Sequence, residues 1–225
     1  MTRLRADILR QPAEWRGCLA RLRGSSAVLE AGRLLAGASE VTLVGIGASG
    51  HAAQAVASLF TAAGRPVQVA DASELLLQPS FRPGSVCLLL SRSGRSVEGV
   101  GLSDLARRQG ARVIAVTNAP ESPLGTGADL VIPLGVAYDH AVSVVTYSAL
   151  ALAAGLAASA ATGRPVPDLD TAFDGLEAAL PEWIRSLEAW TPPSGPAYFL
   201  GRGSGFATAQ EARLLWEEAA KSPAT

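Results

Sequence analysis

The chain has 225 residues, of which 48% are hydrophobic, 17% are charged and 5% are aromatic. This length allows one full core and part of a second, and this composition excludes a mostly disordered chain. Nineteen Lys and Arg against 20 Asp and Glu leave a net charge of −1. No overall field therefore attracts the chain to nucleic acids or membranes, and an anionic ligand must be held by local groups.

The first 37 residues are predicted to form an N-terminal helical segment. Trp15, Leu19 and Leu22 recur at helical spacing, and the pattern predicts one helix over residues 12 to 37 with Pro12 in its first turn. The N-terminus carries charge throughout and lacks the long apolar run of a secretory signal or a membrane span. We therefore expect a cytoplasmic protein.

A change of pattern after Gly37 predicts a parallel β-sheet. Strands buried on both faces of such a sheet are apolar at nearly every position, and helices connect them. Five runs of this kind alternate with helical stretches: residues 41–46, 66–71, 86–90, 112–117 and 129–134. The pattern predicts a doubly wound α/β domain over residues 38–165, which a helix of small residues from about 140 to 162 closes.

Residues 166–196 are predicted to form a linker and a helix, in which the charged amphipathic helix covers about 171–190. Residues 197–210 then align without a gap with the first predicted strand and the loop after it. The alignment pairs Gly45 with Gly201, Gly47 with Gly203, and Gln54 with Gln210. We interpret it as an internal repeat, and we expect residues 197–225 to begin a second, incomplete domain with one strand and one helix.

The first glycine loop, residues 45–50, leaves a predicted buried strand and enters a helix. Such a turn exposes backbone N–H groups and the positive end of the helix dipole to an anion. The glycines permit close approach of the backbone, and Ser49 adds a hydroxyl donor. A turn that only packs a helix against a strand would also be rich in glycine, so both interpretations stay open.

The second loop, residues 91–96, has the sequence Ser-Arg-Ser-Gly-Arg-Ser and lies between a predicted strand and a predicted helix. Three hydroxyls, two guanidinium groups and a helix N-terminus suit phosphate oxygens. The alternative is an ordinary helix with Ser93 or Ser96 as its N-cap and with solvated arginines. Both loops follow the carboxyl ends of strands, where open α/β sheets bind ligands.

A dinucleotide site is a rival interpretation of the first loop. Residues 45–50 match G-x-G-x-x-G, and Asp71 ends the next strand about 20 residues later, at the spacing of a ribose-binding acid. A dinucleotide places its pyrophosphate on the first helix, however, and needs no second anion loop. The hydroxyl-rich second loop therefore favours a small phosphorylated ligand over NAD.

These motifs together resemble the SIS (sugar isomerase) family, which includes the isomerase half of glucosamine-6-phosphate synthase and related amino-sugar phosphate isomerases and deaminases. Four segments carry the resemblance: VTLVGIGASGHAAQ, SRSGRSVE, GARVIAVTNAPESPLGTGADLVIPL and FLGRGSGFATAQEARLLWEEAAKSPA. The resemblance covers nearly the whole chain and implies a flavodoxin-like five-stranded parallel sheet followed by the start of a second SIS repeat. It implies neither a cofactor nor a metal ion, and these residues include no counterpart of the synthases' glutaminase domain.

The resemblance also implies roles for individual residues. Ser91, Ser93 and Ser96 match phosphate-binding positions, Arg92 stands where the synthases have Gln, and Ser96 replaces Thr. Gly47, Ala48 and Ser49 of the first loop match substrate-binding positions, with Ala48 in place of a common Thr. Glu217 matches the glutamate that moves a proton between sugar carbons, whereas Leu214 and Val145 replace lysines of catalytic members. An ion pair with Arg213, one turn earlier, is the alternative role for Glu217.

The expected function is therefore binding of a phosphorylated sugar or amino sugar, with ketose–aldose isomerisation or deamination as the reaction. A non-catalytic phosphosugar-binding or sensor module is the alternative, and a dinucleotide-binding domain is less favoured. Because an incomplete second domain would expose a strand edge and apolar helix faces, we expect a homodimer or larger homo-oligomer. Nucleic acids and membranes are not expected partners.

The cysteines and histidines are not assigned a catalytic role. Cys18 and Cys87 are far apart in the sequence and are expected to be buried thiols rather than a disulfide or a metal pair. His140 is expected to be an exposed or capping residue ahead of a helix. His51 follows the first glycine loop and is placed to approach a ligand.

Overall fold

The computed structural model describes residues 2–190 and 195–225, and this part of the chain contains nine helices and five strands. The strands are β1 (Val41–Gly45), β2 (Gln68–Asp71), β3 (Val86–Ser91), β4 (Arg112–Thr117) and β5 (Leu130–Pro133). The helices are α1 (Arg3–Leu22), α2 (Ser26–Gly37), α3 (Ala48–Ala62), α4 (Ala72–Leu77), α5 (Val97–Arg108), α6 (Pro123–Gly127), α7 (Val145–Thr162), α8 (Leu169–Glu188) and α9 (Gly205–Ala220).

The strands form one parallel sheet in the order β2-β1-β3-β4-β5. The central strands β1, β3 and β4 are buried along nearly their whole length, because helices cover both faces of the sheet. The edge strands β2 and β5 are partly exposed. The structure thus confirms the predicted five-stranded doubly wound α/β sheet.

Alternate residues of each strand enter two separate cores. Leu43, Leu88 and Ile114 belong to the larger core, which α1, α2, α3 and α7 cover. Their neighbours Val44 and Leu89 belong to the smaller core on the opposite face, which α4, α5 and α6 cover. This alternation follows from the two-residue period of side chains along a strand.

Helix α7 packs closely on the larger core because most of its buried side chains are alanine. A Cβ atom at Gly32 of α2 would lie 2.5 Å from the Cβ of Ala160, so glycine is required where the two helices meet. Within the described ranges, α7 is the one helix whose length and hydropathy would suit a membrane span, and half of that span is buried. Its burial against α2 and α3 explains its apolar composition.

The prediction of one helix over residues 12–37 is wrong. The chain forms α1 and α2 instead, and the turn between them contains Gly24 with φ +72°. Ser25 then caps α2 by accepting a hydrogen bond from the N–H of Val28. Pro12 lies in the interior of α1 rather than in a first turn, since α1 already begins at Arg3. A left-handed glycine followed by a serine N-cap ends one helix and begins the next.

Two other boundaries differ from the predictions. Helix α7 begins at Val145 rather than near residue 140, because the Asp139 carboxylate accepts hydrogen bonds from the N–H groups of Val145 and Thr146. The strand expected near residue 197 is reduced to an isolated parallel bridge between Ala197 and Ala224. Part of the predicted break at 191–196, residues 191–194, lies outside the described residues.

The two glycine turns share one backbone geometry. Gly47 and Gly203 precede α3 and α9 with φ values of +54° and +57°. The N–H of Ser49 donates to the carbonyl of Ile46, and the N–H of Gly205 donates to the carbonyl of Arg202, both at 3.1 Å. A Cβ atom at Gly45 or at Gly201 would overlap the backbone at the start of the following helix. The similarity seen in the sequence therefore extends to conformation.

Candidate active site

The second loop joins β3 to α5 and is held by its own hydroxyl groups. Ser91 Oγ accepts a hydrogen bond from the N–H of Gly94 at 3.1 Å. Ser93 Oγ accepts one from the N–H of Arg95 at 3.3 Å. Gly94 has φ +60°, a conformation that residues with a Cβ rarely adopt. The loop is therefore a compact turn with one obligatory glycine.

The connection between β4 and α6 holds this loop through two backbone hydrogen bonds. The carbonyl of Arg92 accepts from the N–H of Asn118 at 3.2 Å, and the carbonyl of Gly94 accepts from the N–H of Leu124 at 3.1 Å. These bonds engage two carbonyl oxygens of the loop, so the neighbouring connection holds the loop in a defined shape. A preorganised loop binds with a smaller loss of conformational entropy.

The helices that follow the two loops have no side-chain cap at their N-termini. Gly47 is the N-cap of α3 and Ser96 is the N-cap of α5, and neither makes a side-chain capping bond. In contrast, Ser25, Asp71 and Ser122 cap α2, α4 and α6 through their side chains. The first-turn N–H groups of α3 and α5 therefore lack an intrahelical acceptor and a side-chain cap, and among the described residues only that of Ser49 already donates to a carbonyl, that of Ile46. Such helix N-termini suit an anion.

A cavity of about 150 Å³ lies between the two loops. Its polar lining consists of Ser49, Ser91, Arg92, Ser93 and Ser96. These residues follow β1 and β3, which are neighbours in the sheet although they are not consecutive in the chain. The cavity thus occupies the switch point of the sheet, where flavodoxin-like α/β proteins bind their ligands.

Gly47 and Ala48 do not line this cavity. Gly47 shapes the first loop through its positive φ, and Ala48 is the first residue of α3. The neighbouring Gly45 requires glycine because a Cβ there would overlap the backbone of Ser49. The structure thus brings together five of the residues predicted to bind substrate and assigns Gly47 a conformational contribution.

Glu217 lies on α9, which packs against α3 beside the first loop. It is half-buried, and it does not line the cavity between the loops. Leu214, one turn earlier on α9, lies 3.9 Å from the position that a Cβ of Gly47 would occupy. Among the described residues, Arg213 and Glu217 form no ion pair. The alternative interpretation of Glu217 as half of that pair is therefore not supported.

Glu211 was missed by the sequence analysis. Only 3% of its side chain is exposed, and its Oε2 lies 2.8 Å from Nδ1 of His51 on α3. Burial, and then the nearby charge of Glu211, raises the pKa of Tyr147 to about 12. The helical spacing of Ala207, Glu211 and Leu214 on one face of α9 was the available signal, since Ala207 is buried and Leu214 approaches Gly47.

The carboxylate of Asp71 is already engaged. It accepts hydrogen bonds from the N–H of Ser73 at 2.9 Å and from the Ser73 hydroxyl at 2.5 Å, and thereby caps α4. The acid that a dinucleotide site would direct to ribose is thus used to begin a helix. This geometry weighs against the dinucleotide interpretation.

Cys18, Cys87 and His140, the remaining candidates from the sequence, lie away from the cavity between the loops. Burial raises the pKa of the Cys18 thiol to about 11 and that of Cys87 to about 12, so both are protonated, free thiols. His140 precedes α7, as predicted, and its Nδ1 lies 2.7 Å from Oδ1 of the buried Asp7. None of these three groups lines the cavity between the loops.

Comparison with known proteins supports the assignment of the fold. The sequence pattern of the SIS domain matches residues 34–159, more than half of the chain. Arabinose 5-phosphate isomerase KdsD of Pseudomonas aeruginosa is 38% identical over 100 residues, which cover 43% of this chain and 30% of that protein. A glutamine--fructose-6-phosphate aminotransferase of Pyrobaculum aerophilum is 27% identical over 233 residues, which cover 95% of this chain and 37% of that protein.

The chain therefore spans about a third of the length of these curated relatives. Among solved structures, tagatose-6-phosphate ketose/aldose isomerase from Escherichia coli superposes with a TM-score of 0.81 at 20% identity. The superposition covers 99% of this chain and 66% of that one. At this level of identity the likeness shows a common fold.

Proposed function

Because the chain belongs to the SIS domain family, we propose that it binds a phosphorylated sugar or amino sugar in the cavity between its two loops. The observation that carries this proposal is the convergence of Ser49 with the loop from Ser91 to Ser96 at the switch point of the sheet. Two helix N-termini without side-chain caps meet there, and Arg92 adds a positive charge.

Each group at this site has a separate proposed role. Ser91, Ser93 and Ser96 and the first N–H groups of α5 donate hydrogen bonds to the phosphate oxygens, and Arg92 contributes charge. Ser49 and the backbone at Gly47 and Ala48 contact the sugar from the side of α3. Because donors held by a preformed loop need little reordering, a small phosphorylated ligand can bind without a metal ion.

We propose that the reaction, where one occurs, is ketose–aldose isomerisation or deamination with Glu217 as the proton carrier. A carboxylate beside a bound sugar can take a proton from one carbon and return it to the next. The approach of the Leu214 side chain to Gly47 supports this role, since Glu217 follows Leu214 by nearly one turn of α9.

We propose a division of the chain into an N-terminal helical segment (residues 1–37), a first SIS domain (38–165), a linker and helix (166–196), and the opening of a second SIS repeat (197–225). The shared geometry of the turns at Gly47 and Gly203 supports the last unit. So does the parallel bridge from Ala197 to Ala224, which corresponds to the pairing of β1 with β2. We further propose a cytoplasmic location.

Calorimetric titration and thermal shift test the binding proposal. The ligands are fructose 6-phosphate, glucosamine 6-phosphate, N-acetylgalactosamine 6-phosphate and arabinose 5-phosphate, with NAD as the control. A ligand that binds only the native state raises its melting temperature by mass action. Stabilisation by a sugar phosphate that disappears in Ser93→Ala supports the site, whereas stabilisation by NAD alone contradicts it.

A non-catalytic phosphosugar-binding module is the second candidate function. It is favoured by Leu214 and Val145, which stand where catalytic members of the family carry lysines. Val145 is fully buried at the start of α7, and Leu214 lies beside Gly47, so both positions are packed with apolar groups. Binding of a sugar phosphate without turnover, unchanged in Glu217→Gln, would support this function over isomerisation.

A further inference from the structure

The hydrogen-bonded pair His51–Glu211 connects the two glycine-turn helices. We infer that it is a positioning device that holds α9 in the register that brings Glu217 to the first glycine loop. The inference rests on the proposed function, because it assigns to the pair a role in the reaction of Glu217. His51 and Glu211 act here as positioning residues and are not proposed to touch the substrate.

The burial of Glu211 is the first argument. Its side chain is only 3% exposed, and the 2.8 Å bond from Oε2 to His51 Nδ1 is the interaction the structure gives this carboxylate. Its Oε1 is buried and has no hydrogen-bond partner. A buried carboxylate with one partner depends strongly on that partner, since its removal leaves the group unpaired in a medium of low polarity. The pair therefore strongly favours one placement of α9 on α3.

The packing around the pair is the second argument. A cavity of about 330 Å³ lies where α9 meets α3, the first glycine loop and the end of β2, and its lining includes His51, Gln54, Phe206 and Gln210. On this side of the pair the side chains are thus not close-packed, and apolar packing contributes less to the position of α9 than it would in a closed core. A directional hydrogen bond from the partly buried His51 to the buried Glu211 helps to fix the position of α9.

The direction of α9 is the third argument. Glu211 contacts His51 in the first turns of α3, and Leu214 lies beside Gly47, which precedes α3. Along α9, the chain therefore runs from α3 toward the first loop. Glu217 follows Leu214 by three residues, nearly one turn further along α9. A change in the contact at Glu211 would shift Glu217 relative to the loop without touching the loop from Ser91 to Ser96.

The test compares His51→Leu with His51→Asn and with the control Gln210→Ala. Asn places an amide N–H near the position of Nδ1 and preserves the bond to Glu211, whereas Leu removes it. Gln210→Ala removes a polar side chain from the same cavity and leaves the pair intact. The readouts are kcat with the best substrate of the sugar-phosphate panel and its calorimetric Kd.

We expect kcat to fall about 100-fold in His51→Leu, the effect of a displacement of roughly 1 Å at a reacting group. The Kd should change less than about twofold, because the loop proposed to bind phosphate joins β3 to α5 and lies outside the contact between α3 and α9. His51→Asn should restore kcat to within about tenfold of the wild type, and Gln210→Ala should leave it unchanged. If His51 only stabilises the fold, its substitution would lower the melting temperature, but kcat would not fall while Kd stayed nearly unchanged.

A wild-type kcat in folded His51→Leu overturns the inference and leaves the proposed function intact. If His51→Leu does not fold, the double variant His51→Leu/Glu211→Leu, which contains no unpaired buried carboxylate, is measured in its place with the same expectation. If the wild type binds a sugar phosphate without turnover, the inference fails and the second candidate function is favoured. If the wild type binds none of the panel, the proposed function and the inference both fail.

Discussion

Gly94 in the loop after β3 lies directly against Ser122 at the start of α6. A Cβ atom at Gly94 would overlap Ser122 Oγ and would lie 2.8 Å from Ser122 Cβ. Ser122 is itself fully buried, and its hydroxyl accepts a hydrogen bond from the N–H of Gly125. The loop proposed to bind phosphate thus packs tightly against the connection between β4 and α6.

We therefore expect Gly94→Ala to be destabilising and to abolish sugar-phosphate binding. The positive φ of Gly94 alone costs an alanine about 1 kcal/mol, and the overlap with Ser122 adds to it. Urea denaturation measures the stability, and calorimetry measures the binding. The control is Gly175→Ala in α8, where nothing lies near the new methyl group and a gain of about 0.5–1 kcal/mol is expected. Normal sugar-phosphate binding by Gly94→Ala would refute the proposal that the packing of Gly94 against Ser122 shapes the binding loop.

Ser96→Ala is expected to weaken binding without weakening the fold. Ser96 lines the cavity and makes no capping bond to α5, so its hydroxyl is available to a ligand. We expect the Kd for the sugar phosphate to rise about tenfold, the effect of losing one hydrogen bond to a charged group. Calorimetry measures the Kd, with Ser58→Ala on α3 as the control, because that hydroxyl bonds the carbonyl of Ala55. An unchanged Kd in Ser96→Ala would show that the Ser96 hydroxyl does not bind the sugar phosphate.

Glu217→Gln is expected to lower kcat by about 10²–10⁴-fold while it leaves the Kd for sugar phosphate nearly unchanged, since an amide cannot accept and return a proton. The assay follows the exchange of the sugar-carbon hydrogen with deuterated water by NMR. The adjacent Glu218, which is exposed, provides the matched control Glu218→Gln. If Glu218→Gln abolishes exchange and Glu217→Gln does not, the proton carrier has been assigned one residue too early.

The stability of the wild type should fall in acid partly through Asp7. Burial by itself would raise the pKa of this carboxyl, but hydrogen bonds from the N–H and ring of His140 and the charge of Arg10 outweigh burial and hold it below 3.8. A lowered pKa stabilises the fold fully above the ordinary value of 3.8. This stabilisation is lost as the pH falls through the lower pKa of the folded state.

The comparison is between the wild type and Asp7→Asn in urea denaturation at a series of pH values. At pH 7 the variant should be less stable by about 1–3 kcal/mol, the range for hydrogen bonds to a charged group. The difference between the two proteins should shrink below pH 3.8. Asp170→Asn, in an exposed pair with Arg23, is the control and should show little effect at any pH. A difference that is constant with pH would exclude the Asp7 charge as its source.

Sedimentation at micromolar concentration should show a dimer or larger assembly. Leu200 is 92% exposed and Tyr198 is 67% exposed, and both belong to a segment paired only with residues 223–225 among the described residues. Exposed apolar residues at a strand edge favour association. Leu200→Asp should weaken the assembly, whereas Leu77→Asp on α4, which is 78% exposed, should not. A monomeric wild type would contradict the proposed homo-oligomer.

The five strands, their parallel arrangement and the two loops could be predicted from the sequence alone. Buried strands are continuous apolar runs, and a glycine-rich or serine-rich turn after such a run is a local pattern, so neither depends on distant residues. The same local reasoning placed the helix of small residues, α7, within five residues of its observed start. The same reasoning predicted α1 and α2 as one helix, because the helical spacing of apolar residues continues across the turn that Gly24 and Ser25 form.

Which of these groups lie close together depends on the packing of the whole fold. The order β2-β1-β3 places Ser49 beside Ser93, although 43 residues separate them in the chain, and it leaves Asp71 to cap α4. The contact of Gly94 with Ser122 and the bond between His51 and Glu211 also join distant segments. Such contacts depend on how helices pack on the sheet and on the desolvation of buried polar groups, and these are properties of the assembled core.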